Sequence, residues 1–176
     1  PGEVHIKEKR AGHVVDITKV IDRSIVNPAK LSPDLQFDLC SRCHLQGNAV
    51  LKDGKAFTDF RPGMSLCEVL DVFMPAYAGG DKNFIMASHV ERLKMSKCFI
   101  ASKAKGDQAK EKNELFPYKS ALTCVTCHNP HVSVKETRIE QFNTACTNCH
   151  SGKEKQCNAP LSARKEKQDK IGRAHV

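Results

Sequence analysis

Apolar residues return at helical spacing in two stretches of the chain. Ile85, His89 and Leu93 recur every four residues and share one face of a helix predicted over Asp81–Cys98. Ile139, Phe142, Cys146 and Cys149 fall on one face of another. A further helix begins at Ser32, with the hydroxyl as cap and Pro33 at the first helical position, and runs into Cys40. Val50–Phe57 reads as a small hairpin turning at Asp53-Gly54, closed by Arg61-Pro62-Gly63. Ser65 and Glu68 form a capping box for a short helix through Phe73, and Pro75 stops it with Met74 at its end. Residues 1–30 read as irregular, apart from a short strand near Val14–Ile17. Lys103–Lys112 reads as a solvated, mobile loop. Cys157–Lys170 is polar and helical in part. The predicted fold class is mainly α, with much irregular chain and one small β-hairpin.

Composition changes this picture in one respect. The 176 residues suit one domain, yet there is no Trp and only two Tyr, so the large side chains that usually fill a core are scarce. Something other than aromatic side chains must supply the bulk. The net charge of +8 does not indicate nucleic acid. Lys and Arg are scattered, and the denser run from Lys153 to Arg173 has no interleaved aromatics for base stacking. A solvated basic face that steers towards an acidic redox partner fits better. No apolar run is long enough to span a membrane. The opening Pro1-Gly2-Glu3, without Met or signal peptide, reads as a truncation. Residues 1–170 are taken as one domain of a longer protein. Ile171-Gly-Arg-Ala-His-Val176 reads as a translated adapter tail, so His175 is given no function.

Nine cysteines are many for this length, and six of them lie in one repeated pattern. Cys-x-x-Cys-His occurs at Cys40-Ser-Arg-Cys43-His44, Cys124-Val-Thr-Cys127-His128 and Cys146-Thr-Asn-Cys149-His150. With this chain's own Cys and His content, chance supplies on the order of 0.02 such motifs. The spacing answers a chemical need. Two thiols add across the two vinyl groups of one haem, each S–H proton passing to a vinyl carbon. The adjacent His then reaches the iron from the proximal side. A zinc knuckle built from the pairs at Cys124 and Cys146 is the structural alternative. It explains neither the His after each second Cys nor the pair at Cys40, and no strand-helix alternation supports a thioredoxin-like motif. The cofactor expected is therefore haem c, three in this chain, held by Cys40, Cys43, Cys124, Cys127, Cys146 and Cys149. The proximal ligands are His44, His128 and His150.

Each iron can take a sixth ligand, and four histidines remain for it: His5, His13, His89 and His131. His89 shares its helix face with apolar neighbours, which suits either a ligand or a buried core His, and ligation is preferred. Pro130 stiffens the short link between His128 and His131, so His131 serves a neighbouring haem more readily than its own. His5 is placed ahead of His13. Met64, Met74, Met86 and Met95 compete, but read as packing residues. Cys67, Cys98 and Cys157 lie outside the motifs. A Cys67–Cys98 disulfide and buried free thiols are equal alternatives.

With these residues in view, the chain resembles the multihaem cytochromes with doubled Cys-x-x-Cys-His motifs, often fused to tetratricopeptide repeats. The resemblance rests on Gly-Glu-Val-His5, Ile25-Val-Asn-Pro-Ala-Lys-Leu-Ser-Pro33, Cys40-Ser-Arg-Cys-His-Leu-Gln-Gly47 and Phe60-Arg-Pro-Gly63. Ser88-His-Val-Glu-Arg-Leu-Lys-Met-Ser-Lys-Cys98 and Leu122-Thr-Cys-Val-Thr-Cys-His-Asn-Pro-His131 extend it, and it runs nearly to Asp169. No tetratricopeptide pattern is present. The resemblance implies a bacterial periplasmic or extracellular protein with mainly bis-His haems, His89 and His131 on the distal side. Its partners would be other redox proteins or further haem domains of the same chain. An electron carrier is expected rather than an enzyme. The alternative is part of an oxidoreductase acting on a small nitrogen or sulfur compound, which needs one open haem face.

Overall fold

The computed structural model describes residues 2–45, 47–74 and 89–150. These residues form six α-helices, three single 3₁₀ turns and one two-stranded antiparallel sheet. The chain divides into two compact units, Pro1–Cys124 and Val125–Val176. The predicted stop at Pro75, the part of the predicted helix over residues 81–88 with Ile85 and Met86, and Cys157–Lys170 lie outside the described residues. So does the tail with His175.

The first unit opens on a helix, α1 (Glu3–Arg10), where the apolar pattern predicts irregular chain. It buries no residue, so no apolar period betrays it. Charge order holds it instead. Glu3 stands in the first turn and Lys7, Lys9 and Arg10 in the last, each sign opposing the helix dipole, and Glu3 pairs with Lys7 at 2.9 Å. The strand expected at Val14–Ile17 does not form. Asp16 Oδ1 accepts from the Thr18 backbone N–H at 3.0 Å and its hydroxyl at 2.5 Å, closing a turn that competes with extended pairing.

α2 (Pro33–His44) forms as predicted, with Ser32 Oγ accepting from the Leu35 N–H at 3.5 Å. Its inner face buries Pro33, Gln36, Phe37 and Ser41. Phe37 meets Phe99 at 5.4 Å between ring centroids. From the same helix, Asp38 accepts from Ser65 Oγ at 3.2 Å and the Leu66 N–H at 3.1 Å. That pins a 3₁₀ turn (Leu66–Glu68) beside the core cluster of Phe60, Leu66, Val69 and Leu70, against which Leu39 and Met64 pack.

The sheet differs from the predicted hairpin. β1 (Asn48–Leu51) pairs with β2 (Leu70–Phe73), from Leu51 opposite Leu70 to Asn48 opposite Phe73. The turn at Asp53-Gly54 is present, Gly54 supplying its φ of 67°. Beyond it the chain enters a 3₁₀ turn (Phe57–Asp59) instead of a strand, because Asp59 Oδ2 accepts from the Ala56 N–H at 2.8 Å. The Ser65–Glu68 box forms, Ser65 N–H donating to Glu68 Oε1 at 2.9 Å. Its helix stops after one turn because Leu70–Phe73 pairs with β1; Met74 therefore follows a strand, not a helix.

Two helices stand where the periodicity predicts one through Cys98: α3 (His89–Met95) and α4 (Lys97–Glu111). Ser96 makes the break. Its hydroxyl donates to Leu93 O at 2.7 Å and accepts from the Phe99 N–H at 3.1 Å, closing one helix and capping the next. The predicted loop Lys103–Lys112 is mostly α4. Its Lys, Ala, Gln and Glu residues are strong helix formers, and Gly106 is buried on it under the Tyr118 ring. Tyr118 OH donates to Asp107 at 2.8 Å, and Lys103 meets that carboxylate at 2.8 Å. At the boundary of the units lies the short α5 (Cys124–Cys127). The second unit carries α6 (Ile139–His150), as the apolar period predicts, with none of its residues buried.

Candidate functional site

All three Cys-x-x-Cys-His motifs sit at the C-terminal end of a helix. Cys40, Cys43 and His44 close α2, Cys146, Cys149 and His150 close α6, and α5 is Cys124–Cys127 with His128 next. Positions i, i+3 and i+4 lie on one helix face, so the first and third motifs turn two thiols and an imidazole towards one side, and α5 does so for its two thiols. Cys43, His44, His128, Cys146, Cys149 and His150 are exposed, while Cys40, Cys124 and Cys127 are half-buried. Among the described residues no disulfide forms, and Cys67 and Cys98 are exposed free thiols rather than a pair. Inside the first motif, Arg42 donates to Phe57 O at 2.8 Å and lies 4.2 Å from the Phe57 ring, tying the motif to the 57–59 turn.

The fold brings the first motif against the leading residue of the second. Thr123 Oγ1 donates to Gln36 Oε1 at 2.8 Å between two buried side chains, and the Leu122 N–H donates to Ser102 Oγ at 2.9 Å. Cys40 lies one turn beyond Gln36 on α2, and Cys124 follows Thr123. The Cys124 thiol donates to Cys40 and lowers its pKa from 9.0 to about 7, against a partial opposing effect of burial. A thiolate is the stronger nucleophile, so the neighbouring thiol makes Cys40 the more reactive sulfur.

In the second unit, the ring of His128 stands edge-on to Phe142, 5.5 Å between centroids. A cleft of about 420 Å³ opens beside it, lined among others by Val125, Cys127, Val132 and Gln141, in the range of roughly 300–1,000 Å³ usual for ligand pockets. Val125, Val132, Val134 and Ile139 are exposed apolar side chains of this unit. His131 is exposed, in a turn closed by its backbone N–H donating to Asn129 Oδ1 at 3.0 Å.

The remaining candidates are dispersed. His89 is the exposed first residue of α3, a helix joined to α2 by Lys94 and Asp34 at 3.1 Å. Met64 packs on the core as expected, but Met74 and Met95 are exposed. His5 is half-buried, its Nδ1 2.8 Å from Ser24 Oγ and 3.5 Å from Asp22 Oδ2. Lys9 meets Asp22 at 2.8 Å and, with Ser24, holds this carboxyl well below the usual carboxylate range. His13 is exposed and bonds Glu8 through Nδ1 at 2.5 Å. Gln36, Thr123, Asp22 and Ser24 have no place in the motif reading. Asp22-x-Ser24 does carry a local turn signal, but its contact with α1 has none.

The donors fit a covalently attached haem: two thiols on each of three helical turns with an imidazole directly after the second, and uncovered apolar side chains near the later motifs. Among the described residues no three His, Cys, Asp or Glu side chains are gathered as ligands of a bare ion.

Comparison with known proteins points the same way. Residues 116–155 match the doubled CXXCH motif family. The chain is similar to "Multiheme cytochrome MtrA" of Shewanella baltica (strain OS185), 26% identical over 126 residues, which is 70% of this chain. The match spans about a third (34%) of that relative's length. No solved structure matches.

Proposed function

We propose that this chain, which belongs among the multihaem c-type cytochromes, carries three covalent haems and relays electrons outside the cytoplasm. The observation that supports this most directly is the shared placement of the motifs, each with its Cys pair in the last turn of a helix and its His at the helix end or one residue beyond. Cys40 and Cys43, Cys124 and Cys127, and Cys146 and Cys149 are the thioether pairs. His44, His128 and His150 are the proximal ligands, with His89, His131 and His5 on distal faces. Bound haem iron supplies a one-electron couple, its potential set by axial ligands, burial and nearby charge. The chain's own residues position these ligands: Phe142 braces the His128 ring, and Arg42 anchors the first motif. Six ligands for three irons leave no open face, which favours a carrier over an oxidoreductase.

The polypeptide charge of +8, offset in part by the two propionates that each haem would bring, leaves a basic excess that suits an acidic redox partner, whether a separate protein or a further haem domain. No helix among the described residues is long and apolar enough to cross a membrane. The deciding experiment is intact mass with a reduced-minus-oxidised spectrum, on chain exported in a host that attaches haem. Three haem additions, all low-spin, are expected. A ligand-binding high-spin component would turn the assignment to the oxidoreductase, and no covalent haem would overturn it.

A further inference from the structure

The stretch after α1 contains a hydrogen-bond chain that haem attachment does not use. Ser24 has one hydroxyl proton, and it goes to Asp22 Oδ1 at 2.5 Å, while the Ser24 backbone N–H reaches the same oxygen at 2.9 Å. A carboxylate can only accept. Towards His5 Nδ1, 2.8 Å away, the spent hydroxyl can therefore only accept as well. The ring proton of neutral His5 must then sit on Nδ1, where Asp22 Oδ2 at 3.5 Å reinforces it. Lys9, one helical turn after His5, holds that carboxylate in place at 2.8 Å. The lone pair of His5 is left on Nε2.

We propose that Ser24, oriented by Asp22, is a positioning residue that fixes His5 in its Nδ1–H tautomer and so presents Nε2 as an axial donor to a haem iron. The proposal deepens the three-haem reading and rests on it. Ligating histidines usually give their second ring N–H to an outer acceptor, which sets ring orientation and raises basicity; losing that acceptor typically costs about 10–100-fold in affinity. His13 stands in a looser setting. It bonds Glu8, a neighbour on the same surface, and 66% of its side chain is open to water.

The test uses the full chain with haems attached, and intact mass comes first. Fewer than three haem additions would sink the three-haem reading itself. With three present, His5→Ala should turn one haem high-spin by electron paramagnetic resonance. Ser24→Ala should keep that haem low-spin, raise its midpoint potential and let added imidazole displace the ligand roughly 10-fold more readily. Ser24→Thr, which keeps the hydroxyl, should restore both values. Asp22→Asn, which still accepts from Ser24, should shift them less and in the same direction. Three haems with no spectral change in His5→Ala would overturn the proposal and leave the three-haem reading standing. Ala and Thr variants at Ser24 that behave alike would overturn it in the same way.

Discussion

Replacing Thr123 by Val removes the hydroxyl that ties the approach of the second motif to α2. Thr123 is 4% exposed and Gln36 5%, so water does not replace the lost donor. Val matches the shape of Thr and leaves Gln36 Oε1 buried without its partner at 2.8 Å. An acceptor stranded in this way costs about 1–3 kcal/mol. In guanidinium, with a slope of about 4 kcal/mol per molar, the midpoint should fall by about 0.3–0.8 M. Denaturation of the haem-loaded protein followed by far-UV circular dichroism measures this. Gln36→Leu removes the acceptor, so the double variant should lose less than the sum of the singles, by at least about 0.5 kcal/mol. A shift below about 0.1 M for Thr123→Val, or strict additivity, would refute the reasoning.

Other expectations follow from the same first unit. Phe37→Ala empties a site that is 1% exposed and should cost about 3–5 kcal/mol, with about 0.5–1.5 kcal/mol of it coupled to Phe99 in a double-mutant cycle. Gly106→Ala adds a methyl that overlaps the Tyr118 ring. The overpacking, about 1–3 kcal/mol, should outweigh the roughly 1 kcal/mol gained in helix propensity, and a melting temperature at or above that of the parent would show the ring stepping aside. Lys103, and then Tyr118, hold the Asp107 carboxyl below its ordinary value of 3.8. Its folded pKa is depressed, so its contribution to stability is full above that ordinary value and is lost as pH falls through the folded one. Tyr118→Phe should move the Asp107 titration upward by nuclear magnetic resonance; an unmoved titration would show that the phenol has no part in it.

Local hydrogen bonding was the legible part of this fold. The Ser32-Pro33 start of α2, the Ser65–Glu68 box, the Asp53-Gly54 turn and the apolar face of α6 are each written within a few residues, and each forms. The departures arose where distant or non-apolar partners decide. β1 finds its partner at Leu70–Phe73, beyond two 3₁₀ turns, so the adjacent residues never become a strand. α1 and the later part of α4 lean on charge order and helix propensity, which leave no hydrophobic period. Ser96 reads as an ordinary polar residue until its hydroxyl serves two helices.

The candidate site divides along the same line. The proposed haem attachment needs only Cys, Cys and His at fixed spacing, so the sequence by itself determined where that reading falls, at Cys40–His44, Cys124–His128 and Cys146–His150. Tertiary structure alone decided that Thr123 would lock onto Gln36, that Cys124 would donate to Cys40, and that Ser24 would stand against His5. The hydrogen bonds at His5 and Thr123 join residues 19 and 87 positions apart. Only the folded chain brings such groups within 3 Å of one another, because no repeat or spacing encodes a partner that distant.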